Sequence, residues 1–253
     1  MVLRPGGSAT LTSKSVYEAP GATSVSEVVH RMEDIQAYIE SHEPRGQHDG
    51  IACFNYMYLA ITRRIFDTLK NRRFVDNGFV AELDVTFANR YFDALRASVV
   101  EPGAVPESWA ALIKRRSDPH LTRLQFAAAG INAHVNFDLG VAVADTCAGL
   151  GSKPDAGHQH AAYQQINQIF AEEIQNLRQH FEGGLERVLD RVFFQRVFNK
   201  IDDWTMVGIR DVAWEDAEHL WTLRQSGDEG SEFIRHLDEL ASETGRLVLV
   251  PLV

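Results

Sequence analysis

In the run AGINAHVNFDLG, His134 and Asp138 stand four residues apart within an otherwise apolar stretch. At helical spacing two such side chains touch. A carboxylate set against an imidazole orients it and favours its charged form, so His134 becomes a candidate general base, or the two ligate one metal ion. Two ionisable groups on a buried face are costly unless they are used. The competing reading is a purely structural His–Asp hydrogen bond. Asn132 and Asn136 share the run, and their types point to backbone ties or to substrate binding.

Angular position separates these four residues. With Asn132 at zero, Asn136 lies about 40° and Gln125 about 20° away, while Arg123, His134, Asp145 and Asp138 fall between about 180° and 240°. One helix therefore carries two opposed polar stripes, with Ile131, Val135 and Leu139 filling one sector between them and Ala133, Phe137 and Ala144 the other. A helix apolar on two sides and polar on two sides is expected at the centre of its domain.

Other helices also turn polar groups inward. Asn55, Tyr58 and Thr62 share a stripe with Ile51 and Phe66. Asp84 shares one with Ala88, Tyr91 and Leu95, and Arg210 one with Trp214, Ala217 and Trp221. Asp84 and Arg210 are a natural ion pair, either fixing helix register or anchoring an anionic or carbonyl group of a ligand. Asn55, Tyr58, Thr62, Tyr91, Asn132, Asn136 and Trp214 are the candidate substrate contacts. His134, Asp138, Asp84 and Arg210 are the candidate catalytic set, with His134 and Asp138 also the candidate metal ligands. No HExxH, paired ExxH, P-loop, GxSxG or dinucleotide glycine pattern occurs, so no nucleotide cofactor is expected and a divalent metal stays open.

The elements that must position these residues are helices. Ser24 or Ser26 caps one running to about Ser41; others span about Gly50–Arg72 and Phe79–Ser98, and a short one carries Trp109 and Leu112. Asp118-Pro119 is expected to open the central helix, which runs to about Leu150. Four more follow at about Gln159–Gly183, Leu185–Asn199, Thr205–Gln225 and Ser231–Thr244, and the tail RLVLVPLV reads as an extended segment on the core or a homodimer contact. The fold class is all-α: one domain of seven or eight helices over residues 24–253, after a flexible arm at 1–23 that is rich in Gly, Ser, Thr, Ala and Pro.

The 253-residue chain, 45% hydrophobic and 24% charged, has the balance of a globular protein. A net charge of −10, with no basic cluster to offset it, argues against nucleic acid and anionic membrane surfaces. There is no signal-peptide pattern and no apolar run long enough to span a bilayer. Cys53 and Cys147 lack metal or redox spacing and read as small buried hydrophobes in a reducing compartment, which places the chain in the cytoplasm.

Four segments taken together, DGIACFNYMYLAIT, LDVTFANRYFDAL, AGINAHVNFDL and RDVAWEDAEHLW, resemble a bacterial, largely actinobacterial family catalogued only as a domain of unknown function. The likeness covers roughly residues 26–225. It implies an all-helical fold and no chemistry. Gly130, His134 and Asp138 also resemble the GxxxHxxxD part of the metal helix in the zinc-dependent phospholipase C and single-strand nuclease group, although the Pro and His that follow there are absent. That resemblance implies a metal at His134 and Asp138. The expectation is a small-molecule enzyme that hydrolyses, eliminates or cyclises through a His–Asp pair in an inter-helix pocket walled by Tyr58, Tyr91 and Trp214. The other reading is a non-catalytic ligand-binding or interaction domain whose buried polar groups are structural networks.

Overall fold

The computed structural model describes residues 16–181 and 206–252. The helices are α1 (Val25–His42), α2 (Gly50–Lys70), α3 (Asn77–Val100), α4 (Glu107–Arg115), α5 (Arg123–Ala133), α6 (Leu139–Gly149), α7 (Gln159–Phe181), α8 (Met206–Gln225) and α9 (Ser231–Val248), with no strand among the described residues. The helix expected at Leu185–Asn199 lies outside them. No described helix is long and apolar enough to cross a membrane.

Short polar side chains start these helices. Ser24, Asp49, Asp76 and Thr122 each accept a hydrogen bond from a first-turn N–H, meeting donors that have no partner within the helix. At α5 the cap is reciprocal: Thr122 accepts from Gln125 N–H, and the Gln125 side chain accepts from Thr122 N–H. That capping box, rather than Asp118-Pro119, opens the central helix. Asp118 instead accepts from the His120 N–H and holds a turn.

The central rod is α5, a π turn over His134–Asp138, and α6. The Leu139 N–H reaches back five residues to the His134 carbonyl. The wider turn rotates everything after it relative to a continuous α-helix. Asp145, expected on the His134 stripe, is therefore delivered to Arg224 on α8 at 2.8 Å, half-exposed. The rod packs on α2, α3, α4, α8 and α9. Two glycines let neighbours approach closely. A Cβ on Gly130 would lie 2.4 Å from the Phe54 ring of α2, and one on Gly140 would lie 3.0 Å from the Ala213 carbonyl of α8.

One hydrophobic cluster runs from Val16 to Leu249. Val16, Tyr17 and Ala22, assigned to the flexible arm by composition, belong to it. Arg31 donates to the Pro20 and Tyr17 carbonyls, and Asn89 pairs with both backbone groups of Ala22, so residues 16–22 are docked on the body. The apolar anchors outweigh a local glycine-rich composition. At the other end the expected extended tail is partly helical, since α9 continues through Val248. Beyond it, Leu249 is buried, and Gln125 Nε2 donates to the Val248 and Val250 carbonyls. Cys53 and Cys147 are free and buried, and burial pushes both thiols up to about 12.

Candidate functional site

The π turn brings His134 and Asp138 into contact: Nδ1 lies 3.1 Å from Asp138 Oδ2. Trp109 Nε1 of α4 donates to the same oxygen at 2.8 Å, and Arg90 Nε of α3 donates to Oδ1 at 3.0 Å. Trp and Arg only donate, so an Asp138 carboxylate accepts from both. The third contact then fixes the tautomer, with His134 Nδ1 carrying the proton and Nε2 bearing the lone pair. The imidazole stacks on Phe87, with centroids 3.5 Å apart and planes 7° from parallel. Tyr58 meets it edge-on at 4.6 Å. Burial lowers the His134 pKa and outweighs the opposing pull of Asp138, so the ring is held neutral.

Nε2 has no hydrogen-bond partner, and His134 lines a cavity of about 40 Å³ between α2, α3, α5, α7 and α8. That is room for about three water-sized groups. The walls are mostly hydrocarbon, including Phe54, Ile61, Leu83, Val135 and Phe170. Three other polar residues share them: Tyr58, Asp84 and Arg210. Tyr58 Oη and Asp84 Oδ2 also lack partners. Burial alone pushes the Asp84 carboxyl up to about 8, so at neutral pH it is a neutral acid able to donate. Burial likewise raises the Tyr58 hydroxyl well above its ordinary value and keeps it protonated.

The cavity thus gathers Tyr58, Asp84, His134 and Arg210 from four helices. The expected Asp84–Arg210 ion pair does not form. Arg210 Nε donates instead to Asn167 Oδ1 at 2.5 Å, and the guanidinium lies between the Tyr163 and Phe170 rings. Both residues point inward on their helices, but inward direction does not set the depth at which the two ends meet.

The other candidates lie elsewhere. Asn55 donates to the Met32 carbonyl and to Gln36, and accepts from Tyr91 Oη, forming a structural tie of α2 to α1 and α3. Tyr91 packs on Trp109 and Phe54 rather than walling the cavity, and Trp214 packs on Tyr163 with its indole N–H on Glu218. Thr62 is buried with its hydroxyl unpartnered, outside the cavity lining. Asn132 donates to the Ala241 carbonyl of α9, and Asn136 to Asn132. As metal ligands, His134 and Asp138 spend their facing atoms on each other, and Asp138 spends the rest on Arg90 and Trp109. No group of three His, Cys, Asp or Glu converges among the described residues.

Sequence reasoning missed Arg90, Trp109, Phe87 and Asn167. Arg90, on the FANRYF segment, was legible as a cation on a helix with an inward acid. Nothing in the spacing tied it to Asp138.

A family model described as "Family of unknown function (DUF5995)" matches residues 25–251. No curated protein and no solved structure matches the chain.

Proposed function

We propose that this chain, which belongs to that family of unknown function, is a small-molecule enzyme that moves a proton with His134 as general base. The observation that carries the reading is the clustering of unpartnered atoms. His134 Nε2, Tyr58 Oη and Asp84 Oδ2 are all buried, all without a protein partner, and all on residues lining one apolar cavity. Buried polar atoms of folded proteins are normally paired, and each unpaired one costs about 1–3 kcal/mol. Three at one cavity support a ligand that supplies the missing partners.

The roles follow from protonation state. Neutral His134 presents a lone pair, and Asp138 on its far nitrogen stabilises the imidazolium that forms when it takes a proton. Arg90 and Trp109 hold Asp138 in place, so they are positioning residues. Asp84 and Tyr58 remain protonated and can donate to an oxygen on which charge develops. A base and two donors in a mostly hydrocarbon chamber suit elimination or cyclisation beginning with C–H removal beside a carbonyl. Hydrolysis fits less well, because such walls exclude water. The absence of nucleotide motifs supports chemistry without a nucleotide cofactor, and the buried free thiols support a reducing, cytoplasmic setting.

The test is proton exchange in D₂O, followed by NMR over a panel of small apolar carbonyl compounds. Wild-type protein should accelerate loss of the proton beside the carbonyl in at least one of them, and His134→Gln should not. No acceleration, or acceleration that survives His134→Gln, sinks the reading.

A further inference from the structure

We propose that the ligand of this cavity is a small apolar monocarboxylate whose carboxylate is held by Arg210. This rests on the cavity's being a ligand site, as in the reading above, and not on the chemistry performed there.

Arg210 is 3% exposed, and no Asp or Glu among the described residues lies within ion-pair distance of it. Among the described residues its guanidinium hydrogen bond is from Nε to the neutral amide oxygen of Asn167. The Tyr163 and Phe170 rings at 5.1 and 5.2 Å offer their faces, which attract a cation but do not neutralise it. Buried charges in folded proteins are paired, and no carboxylate among the described residues pairs this one, so an anionic ligand suits it.

The one acid that shares the cavity does not serve. Asp84 forms no ion pair among the described residues, and its burial favours the neutral acid. With His134 also neutral, the chamber carries a single positive charge. A monoanion balances it. The planar guanidinium fork matches a carboxylate through two parallel hydrogen bonds. The phenol of Tyr58 and the acid of Asp84 are two further donors. Around them the walls are Ile, Leu, Phe and Met side chains, which suit a hydrocarbon body. A cavity of about 40 Å³ is too small for a bulky hydrated dianion.

The probes are straight-chain sodium carboxylates from acetate to butyrate, each against its own amide. Binding to the full chain is read by thermal shift and isothermal titration. At least one carboxylate should raise the melting temperature and bind about tenfold or more tighter than its amide. Arg210→Met should erase that preference. It should also leave the melting temperature of the ligand-free protein equal or higher, because it removes an unpaired buried cation. Should Arg210→Met fail to fold, Arg210→Lys keeps the charge, loses the fork, and should weaken the carboxylate about tenfold. Carboxylates that bind no better than amides, or a preference that survives at Arg210→Met, overturn the proposal. Carboxylate binding by Arg210 with no proton exchange on any substrate overturns the acid–base reading alone. Exchange on an uncharged substrate with no carboxylate preference overturns this inference alone.

Discussion

The two polar faces of the central rod make a controlled comparison, because they share one rod and one core. On one face Gln125, Asn132 and Asn136 find protein partners. Gln125 holds the Val248 and Val250 carbonyls at 2.9 and 2.8 Å, Asn132 holds the Ala241 carbonyl at 2.6 Å, and Asn136 holds Asn132 at 2.9 Å. On the other face His134 is satisfied at Nδ1 and left open at Nε2, beside a cavity where Tyr58 Oη and Asp84 Oδ2 are open too. An amide face that spends its hydrogen bonds on backbone is scaffold. A face that leaves acid–base atoms unspent around a hollow is the face on which to seek chemistry.

The largest effect should come from cutting the hub that holds the open face in place. Asp138→Ala strands the half-buried Arg90 donor and the buried Trp109 and His134 donors together. It should cost about 3–5 kcal/mol in urea unfolding, as breaking a buried pair does. A loss no greater than that of an amide truncation would mean that the two faces are equivalent and that the Asp138 network is ordinary packing.

How far this contrast was legible from sequence depends on what each feature requires. The amide face and the His–Asp pair follow from a 3.6-residue period, which needs only residue order. So does the helical fold. The π turn has no residue code, because a backbone bond from Leu139 to His134 is chosen by packing rather than by side-chain type. The partners Arg90 and Trp109 come from other helices, and only the crossing angles bring them to Asp138. The failed Asp84–Arg210 pair has the same cause. Each residue's inward direction was readable, and the distance between their tips was not. Val16 and Tyr17 were lost to composition, since a few apolar anchors in a glycine-rich stretch are enough to dock it.

Asp84 sharpens the comparison with the opposite sign. Its carboxyl is pushed up to about 8 in the folded protein, while an unfolded aspartate titrates near 4. Between those values the unfolded chain has released a proton that the folded one keeps, so folding stability falls as pH rises from about 4 to 8 and is flat above. Asp84→Leu removes that burden and should stabilise by on the order of 4 kcal/mol at neutral pH. The same variant should lose proton-transfer activity. Destabilisation by Asp84→Leu would show that the acid is a structural element of the core.

On the scaffold face, Asn132→Ala should cost about 1–3 kcal/mol by removing its hydrogen bond to the Ala241 carbonyl and taking the acceptor from the Asn136 amide, with carboxylate binding and proton exchange unaffected. Coupling of this residue to ligand affinity would erase the division between the faces.

The smallest stability effect, and the most informative one, belongs to His134→Phe. A phenyl ring keeps the stack on Phe87 and removes the penalty of an unpartnered Nε2, while Asp138 loses one of its three donors. These changes oppose each other, so the net should stay within about 1 kcal/mol. Activity should vanish. The pH dependence separates this from a neutral core substitution. The folded His134 pKa is depressed below that of the unfolded chain, so the wild type is fully stabilised above about 6.5 and loses stability as pH falls through that value toward the lower folded one. His134→Phe should remove that part of the acid limb and leave the rest of the profile intact, as read by urea unfolding across the range. A loss as large as that of Asp138→Ala would instead assign the imidazole to the scaffold, and the two faces of the rod would then differ in residue type alone.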